Sequence, residues 1–453
     1  MNLTLQKIAE YVNGKCFNCG EETVEKITTD TRDIEKGSLF VALKGEKFDG
    51  HDFLDSAIEK GAVAVLSEKV VDGLPLIKVE NTYKALLDIA KGYRESLDVK
   101  VVGVTGSVGK TTTKDMIAAV LSQEMPTAKT QGNFNNHIGV PKTLFLVGEE
   151  DRAAVVEMGM NHKGEISALT KVSLPDIAVL TCIGVSHIEN LGSRENILKA
   201  KLEILEGMAK NAPVIINVDN DILGEIKEIG EHKIIRCSCE NPDADFFAKN
   251  IAEGSEGARF DIYCNGKFMV NVFLPCLGVH NVGNALLSAA VGIELGVSPF
   301  QIASGLSSYV PSGRRQKIVN KKDITFIEDC YNASPQSMVA SLGVLKSLSG
   351  DNRSVAVLGD MLELGDIAES SHLEIGHEAA KNSDLVVCSG NLAKKIYEGA
   401  VKEGGNAVFF ESKEEAAQYL VKTLKKDDFV LFKASNSMQF DKIIEAVYAA
   451  IEN

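Results

Sequence analysis

The sequence lacks any apolar run of the roughly 18 residues that a membrane-spanning helix needs. Residues 1–7 show no basic segment leading into an apolar core, which a secretory leader requires. Internal repeats and low-complexity segments are also missing. We therefore expect a cytoplasmic protein without a membrane span.

Cysteine is present, but without the pattern of a disulfide framework. The nine cysteines are odd in number and scattered over 453 residues. Only Cys16 and Cys19 have the spacing of a metal-binding pair, and the next close pair, Cys237 and Cys239, is far away in sequence. Two reduced thiols near a turn are favoured for Cys16 and Cys19, with a zinc site as the alternative.

The sequence is also short of basic residues. Its 48 Lys and Arg against 63 Asp and Glu give a formal net charge of −15. A surface of this sign opposes the phosphate contacts of nucleic-acid binding, so we expect no nucleic-acid partner. Small anions are not excluded, because salt screens distant charges beyond about 10 Å and a local cluster of cations then dominates.

The chain is too long for one hydrophobic core, and a typical domain size of about 150 residues predicts three domains. Residues 1–97 alternate short strands and helices, as in a small α/β module. Residues 98–311 contain continuous apolar strands separated by helix-length segments, which indicates a mostly parallel sheet, with an antiparallel extension at 245–275. Residues 312–453 form a second α/β series typical of a Rossmann-like domain.

The strongest functional signal lies in residues 101–113, an apolar strand, a glycine-rich turn and a helix that opens with Lys110. Such a turn presents backbone N–H groups and a helix N-terminus to phosphate, and the hydroxyl of Thr111 suits Mg²⁺. The strict phosphate-loop pattern has glycine where this chain has Val104, and an ordinary strand-to-helix turn is the alternative. The predicted nucleotide contacts in this segment are Thr105, Gly106, Ser107, Val108, Gly109, Lys110, Thr111 and Thr112.

Three further candidates follow predicted strands of the same sheet. Glu157 ends an apolar strand, where a carboxylate is costly unless a metal or a buried salt bridge holds it. His187 lies in a short loop after the strand at 178–181, and a structural histidine is the alternative. Lys201 has the spacing of a solvated helix face.

Two asparagine-rich turns have the composition of ligand-binding loops. Residues 132–141 are too turn-like for a helix and too long for a hairpin, and they offer amide donors to a ligand. Residues 329–335 end the first predicted strand of the last domain, where Rossmann-like sheets place such loops. Plain surface turns are the alternative for both.

These blocks together resemble the Mur ligases of bacterial cell-wall synthesis, over the whole chain. The blocks are residues 30–32, 37–45, 48–53, 105–113, 135–136, 157–160, 164–166, 186–187, 281–285, 313–314, 329–338 and 358–365. The resemblance implies an α/β protein of three domains: a small N-terminal domain for a UDP-sugar, a central P-loop ATPase domain with a mostly parallel sheet, and a C-terminal Rossmann-like domain.

The resemblance also implies a reaction in peptidoglycan precursor synthesis. ATP phosphorylates a carboxylate, an amine attacks the acyl phosphate, and an amide, ADP and phosphate result. The N-terminal block and the last two blocks are most similar to family members that join D-alanyl-D-alanine to a UDP-N-acetylmuramoyl-tripeptide. ATP, Mg²⁺ at two sites and a monomeric enzyme are therefore expected. No position distinguishes lysine from diaminopimelate as the third residue of the tripeptide.

Roles for single residues follow from the resemblance. Lys110 would bind the β- and γ-phosphates, Thr111 and Glu157 a first Mg²⁺, and His187 a second. Lys201 matches a lysine that the family carries as a carbamate able to bind that metal, which replaces the solvated-face interpretation. Further nucleotide contacts would come from Asn136, Asn281, Arg314, Asp329, Tyr331 and Asn332, and the uridine pocket from Thr31, Arg32, Lys44 and Gly45.

The chain departs from the family pattern at two positions. Ser334 stands where asparagine is usual, and Asn436 where an arginine is usual, so a phosphate or dipeptide role at 436 is not implied. Alternatives are a sister ligase that adds a single amino acid and a folylpolyglutamate synthase-like enzyme. A guanine-nucleotide switch would need Asn-Lys-x-Asp, and residues 217–220 lack the lysine.

Overall fold

The computed structural model describes residues 1–452, and its N-terminal part is a small α/β unit. The strands are β1 (Leu3–Thr4), β2 (Lys15–Phe17), β3 (Thr23–Val24), β4 (Lys26–Thr28), β5 (Ser38–Val41), β6 (Ala62–Ser67) and β7 (Leu76–Lys78). The helices are α1 (Leu5–Val12), α2 (Leu54–Glu59) and α3 (Thr82–Glu95). The main sheet has the order β2-β7-β6-β5-β4 and is parallel except at β2, while β1 and β3 pair separately.

The central unit is built on a large, mostly parallel sheet. The strands are β8 (Lys100–Thr105), β9 (Thr127–Lys129), β10 (Ala153–Glu157), β11 (Ile177–Leu180), β12 (Val214–Asn217), β13 (Ile234–Ser238), β14 (Phe246–Gly254), β15 (Gly257–Cys264) and β16 (Lys267–Leu274). The helices are α4 (Lys110–Leu121), α5 (Gly139–Phe145), α6 (Glu165–Ser173), α7 (Ile188–Leu191), α8 (Arg194–Leu202), α9 (Asp221–Gly224), α10 (Val279–Glu294) and α11 (Pro299–Ser307).

The order of this sheet creates a crevice. It runs β16-β15-β14-β13-β12-β11-β8-β10-β9, parallel from β14 to β9 and antiparallel at β15 and β16. β8 lies between β10 and β11, so the chain first leaves β8 toward β9 and later crosses to the other side. A crevice at the carboxyl end of β8 results, as at the switch point of other doubly wound sheets.

The C-terminal unit is a second doubly wound sheet. The strands are β17 (Lys317–Lys321), β18 (Ile324–Glu328), β19 (Ser354–Leu358), β20 (Leu385–Ser389), β21 (Ala407–Phe410) and β22 (Phe429–Lys433). The helices are α12 (Pro335–Ser349), α13 (Ala368–Asn382), α14 (Ala393–Lys402), α15 (Lys413–Thr423) and α16 (Asp441–Glu452). The order is β17-β18-β22-β19-β20-β21, with β17 alone antiparallel.

Both faces of the central sheet are buried, which explains its continuous apolar strands. Val102 and Val104 of β8 pack in one core cluster with residues of α4 and α10. Val101 of the same strand packs in another cluster with residues of α3, α5 and α6. Since successive side chains of a strand point to opposite faces, a strand covered on both sides must be apolar throughout.

The expected architecture of three α/β parts with mostly parallel sheets is confirmed, and so is the antiparallel extension formed by β14, β15 and β16. β9, with three half-buried residues, and β17, a polar edge strand, lack the continuous apolar run that indicates a buried strand in the sequence. The boundaries at 97/98 and 311/312 stay predictions. No helix within residues 1–452 combines the length and apolar character needed to cross a bilayer.

Arg94 of α3 connects the N-terminal unit to the central unit through hydrogen bonds and an ion pair. Its side chain is nearly buried, and its Nε donates to the carbonyl of Ser173 at 2.9 Å. Its Nη2 donates to the carbonyl of Leu174 at 3.2 Å and lies 3.3 Å from Asp176 Oδ2. Because α6 ends at Ser173, these bonds satisfy carbonyls that the helix leaves unpaired.

Replacing Arg94 by methionine should lower the free energy of unfolding by about 1–3 kcal/mol, because the carbonyls it bonds lose their donor. Denaturation by urea, followed by circular dichroism, measures the change. Arg152→Met is the matched control: its guanidinium bonds the exposed carbonyls of Glu149 and Asp151, so a change below about 0.5 kcal/mol is expected. Equal effects of the two substitutions would contradict this role of Arg94.

Candidate active site

A cavity of about 790 Å³ opens at the carboxyl ends of the central strands and is closed on one side by the C-terminal unit. Among the predicted residues, it is lined by Ser107, Val108, Gly109, Lys110, Thr111, Thr112, Glu157, His187, Asn281, Asp329, Tyr331 and Asn332. The predicted residues outside its lining are Thr31, Arg32, Lys44, Gly45, Thr105, Gly106, Asn136, Lys201 and Arg314. The fold thus gathers side chains from positions 107 to 332 into one site.

Two glycines shape the turn between β8 and α4. A Cβ on Gly106 would lie 1.8 Å from the Thr181 hydroxyl oxygen. Gly109 has φ +87°, and a Cβ on it would lie 3.0 Å from the amide oxygen of Asn284. Side chains are therefore excluded at both positions, and the turn can keep its backbone close to a ligand.

Lys110 opens α4 and turns back over this loop. Its Nζ donates to the carbonyl of Gly106 at 2.7 Å and to that of Ser107 at 3.4 Å. Burial lowers the pKa of its ammonium, while the charge of Glu157 acts in the opposite direction. No side chain caps the first N–H groups of α4, so these groups and Lys110 together form a site of positive potential suited to phosphates.

Glu157 is the last residue of β10, and its carboxylate is 2% exposed. Its Oε1 accepts a hydrogen bond from Asn135 Nδ2 at 2.9 Å, and Lys114 Nζ lies 3.8 Å from its Oε2. Within residues 1–452, Oε2 has no hydrogen-bond partner. A buried carboxylate oxygen in this state costs free energy, so a cation bound at the cavity would stabilise it.

The asparagine-rich loop places Asn133 and Asn135 at the cavity. Asn136 instead caps the first turn of α5, where its Oδ1 accepts the N–H groups of Ile138 and Gly139 at 3.1 and 2.9 Å. Adjacent asparagines have the same chemistry, so the sequence had no signal to separate them. A phosphate contact of Asn136 stays a prediction.

His187 lies just before α7 in the left-handed conformation, with φ +64°. Its Nδ1 lies 2.6 Å from Glu363 Oε2, without the alignment of a hydrogen bond. Their proximity lowers the pKa of the Glu363 carboxyl. Glu363 belongs to the C-terminal unit, so this contact ties that unit to a residue of the cavity. Residues 358–365 carried the family resemblance, but no sequence signal assigned Glu363 a partner.

Lys201 is buried in α8, with 1% of its surface exposed, and the solvated face that its spacing predicted is not present. In the described part of the chain its ammonium makes no hydrogen bond or ion pair. Burial lowers its pKa well below the ordinary value of lysine, and the positive charge of Lys110 adds to the shift. Both effects favour the neutral form of this amine more than in an exposed lysine.

The C-terminal unit faces the cavity with Arg315. Its guanidinium carbon lies 3.6 Å from the centre of the Tyr331 ring, a stacked cation–π contact. Arg314, the arginine predicted from the sequence, lies elsewhere and pairs with Asp441 and Glu445 of α16 at 3.5 and 3.2 Å. The sequence alone cannot show which of two consecutive arginines faces the cavity, because that depends on the direction of each side chain.

Asp329, directly after β18, anchors a buried polar cluster at the cavity wall. Its Oδ2 accepts hydrogen bonds from Lys433 Nζ at 2.6 Å and from Ser341 Oγ at 2.5 Å. Lys433 ends β22 and is buried, whereas Asn436 in the following turn is exposed. The family pattern drew attention to the turn at 433–436, and the structure shows that Lys433 is its cavity residue.

The four residues predicted for a uridine pocket lie on two loops of the N-terminal unit. Thr31 and Arg32 follow β4, and Lys44 and Gly45 follow β5. The guanidinium of Arg32 is exposed and pairs with Asp30 at 2.7 Å. Their loops lie beside each other because β4 and β5 are parallel neighbours. Their role in binding stays a prediction.

Residues 1–452 contain no group of three His, Cys, Asp or Glu side chains placed to hold a metal ion. Cys16 and Cys19 are free thiols. The cavity does bring together the hydroxyl of Thr111, the carboxylate of Glu157 and the imidazole of His187. Such a partial set of donors suits Mg²⁺ when phosphate oxygens and waters complete its shell.

Comparisons with known proteins agree over nearly the whole chain. Three family models match: "Mur ligase family, catalytic domain" at 23–94, "Mur ligase middle domain" at 104–292, and "Mur ligase, glutamate ligase domain" at 313–436. The UDP-N-acetylmuramoyl-tripeptide–D-alanyl-D-alanine ligase of Bacillus subtilis (strain 168) is 40% identical, and the alignment covers 98% of this chain and 97% of that protein.

Solved structures give the same result. A crystal structure of MurF from Acinetobacter baumannii has a TM-score of 0.92 at 32% identity and covers 99% of both chains. MurF from Thermotoga maritima, solved in complex with ADP, has a TM-score of 0.83 at 29% identity and covers 94% of this chain and 98% of that one. The resemblance indicated by the sequence motifs is confirmed: the chain belongs to the Mur ligase family, and its relatives there are MurF enzymes.

Proposed function

We propose that this protein is an ATP-dependent, ADP-forming ligase that joins D-alanyl-D-alanine to the terminal carboxylate of a UDP-N-acetylmuramoyl-tripeptide. The observation that carries the proposal is full-length similarity to enzymes of that name, combined with a phosphate loop at the cavity. Sister ligases and a folylpolyglutamate synthase are only 15–17% identical, so their likeness concerns the fold alone. We also propose that the enzyme is a monomer and acts in the cytoplasm.

The chain's own groups suit phosphoryl transfer to a carboxylate. N–H groups of residues 107–111 and the ammonium of Lys110 would hold the β- and γ-phosphates, so that charge developing on them is stabilised. A carboxylate oxygen of the tripeptide attacks the γ-phosphorus and ADP leaves. The neutral amine of the dipeptide then attacks the acyl carbon and gives up a proton to solvent, and phosphate departs with the electron pair of the broken C–O bond. The acyl phosphate is needed because a free carboxylate is a poor acceptor for an amine.

The donors at the cavity fit Mg²⁺, since Glu157 Oε2 is buried and lacks a hydrogen-bond partner in residues 1–452. Thr111 and Glu157 would hold one ion and His187 a second, and the bound ions would neutralise phosphate and carboxylate charge. Lys201 fits the carbamate of the family, because a neutral, unpaired amine can add CO₂ and release a proton. The carbamate would supply a further anion beside the cavity.

The remaining predicted residues would bind ATP and the UDP end of the tripeptide substrate. Asn281, Asp329, Tyr331 and Asn332 line the nucleotide side, and we propose Arg315 for the role that the sequence gave to Arg314. We further propose that residues 1–97 bind the UDP end through the loops of Thr31, Arg32, Lys44 and Gly45. Residues 98–311 would then form the ATPase domain. Residues 312–453 would form the C-terminal domain that closes over the bound substrates.

The decisive experiment is ADP release with purified UDP-muramoyl-tripeptides, one ending in lysine and one in diaminopimelate. We expect ADP to form with D-alanyl-D-alanine and at least one tripeptide, and ¹⁸O to pass from the tripeptide carboxylate into released phosphate. D-glutamate, L-lysine and diaminopimelate serve as alternative amines. Turnover with one of these but not with the dipeptide would refute the assignment, and so would phosphate free of ¹⁸O.

Replacing Lys110 by alanine should reduce kcat by at least about a thousandfold while the protein stays folded, because its charge acts mainly on bound phosphate. Steady-state ADP release and circular dichroism measure the two quantities. Lys100→Ala is the matched control, since Lys100 begins β8 and makes an exposed ion pair with Asp176. Unchanged kcat in Lys110→Ala would remove Lys110 from the proposed site.

A further inference from the structure

Gln316 lies between α11 of the central unit and β17 of the C-terminal unit, and it lines the cavity. Its backbone is left-handed, with φ +50°, which is uncommon for a residue other than glycine. Its N–H donates to Asp329 Oδ1 at 3.2 Å. The backbone of Gln316 is thus tied to the buried polar cluster of the C-terminal unit.

The side chain of Gln316 reaches the central unit. Its Oε1 accepts a hydrogen bond from Asn281 Nδ2 at 2.9 Å, and its Nε2 lies 3.1 Å from His280 Nε2. Asn281 Nδ2 also donates to the carbonyl of Leu277 at 2.7 Å, so Gln316 and Leu277 together fix the orientation of this amide. Asn281 Oδ1 therefore faces Asn284 and accepts a bond from its Nδ2 at 3.1 Å.

This line of amides ends at the phosphate loop. With its Nδ2 turned to Asn281, Asn284 directs Oδ1 at Gly109, where it stands 3.0 Å from the position a Cβ would take. Asn281 and Asn284 are both buried, so water cannot easily replace a bond that is lost. Hydrogen bonds thus connect the Asp329 carboxylate, Gln316, Asn281 and Asn284 in one line, here called the amide relay, and its last side chain lies against Gly109.

We propose that Gln316 is a positioning residue that couples the C-terminal unit to the phosphate loop through the amide relay. The inference rests on the proposed nucleotide site. Gln316 need not touch the reacting atoms, because it acts by holding Asn281 and Asn284 in one orientation. Without the Gln316 side chain, the amides of Asn281 and Asn284 can rotate more freely. Nucleotide binding must then fix their orientation, and this entropic cost lowers the affinity.

Two substitutions remove the bond by different routes. Gln316→Asn keeps an amide and tolerates the left-handed backbone, but it is one methylene too short to reach Asn281. Gln316→Met keeps the length and roughly the shape but replaces the amide oxygen by a thioether sulfur, which is only a weak hydrogen-bond acceptor. Gln439→Asn is the matched control, because Gln439 is also a left-handed glutamine, with φ +51°, and lies outside the cavity.

We expect both Gln316 variants to bind Mg·ADP about five- to tenfold more weakly by isothermal titration calorimetry, and Gln439→Asn to bind like the parent. In turnover, the KM for ATP should rise by the same factor, while kcat and the KM for the UDP-tripeptide change less than about twofold. Melting temperatures within about 2 °C of the parent would show that the effect is not a general loss of stability.

A double variant tests the relay itself. If Asn284 acts through the same line, Gln316→Met combined with Asn284→Ala should weaken ADP binding no further than Asn284→Ala alone, because coupled residues are not additive. Additive losses would overturn the relay, and so would parent-like ADP affinity in both Gln316 variants. A parent protein that fails to bind ADP would refute the proposed function, and the inference with it.

Discussion

Glu157 Oε2, a buried carboxylate oxygen at the cavity, has no hydrogen-bond partner in residues 1–452, and the buried side chain of Lys201 makes neither a hydrogen bond nor an ion pair there. Groups of this kind oppose folding, because they lose water without gaining a hydrogen bond, and Lys114 Nζ at 3.8 Å compensates Glu157 Oε2 only in part. The sheet behind them offsets the cost, since β8, β10 and β11 are covered on both faces by apolar side chains. The ligands proposed here would supply the missing partners, so the strain of the free protein favours binding.

The same cavity depends on how the C-terminal unit is attached. Lys433 and Asp329 form a buried pair at its wall, and Glu363 meets His187 from the same unit. Breaking the Lys433–Asp329 pair would leave a buried charge without a partner, whereas the half-exposed carboxylate of Glu363 would keep contact with water. Short polar contacts therefore connect the C-terminal unit to the residues that line the cavity.

Local patterns in the sequence predicted the fold well where structure is locally determined. The strand, turn and helix around 105–110 are fixed by an apolar run, two glycines and a helix start that lie within about a dozen residues. The buried strands of both large sheets were equally visible, because burial on both faces removes polar residues from them. β9 and β17 had no such signal, since edge strands are short or polar and are defined by the neighbour they pair with.

The sequence by itself determined the three-part architecture, the strand, turn and helix at 100–121 and the family, because these depend on residue order and local chemistry. The tertiary structure alone decided which of two adjacent side chains faces the cavity: Asn135 beside Asn136, and Arg315 beside Arg314. It also decided that Lys201 is buried rather than solvated. The physical reason is the same in each case, since the direction of a side chain and its distance from water depend on elements that pack from distant parts of the chain.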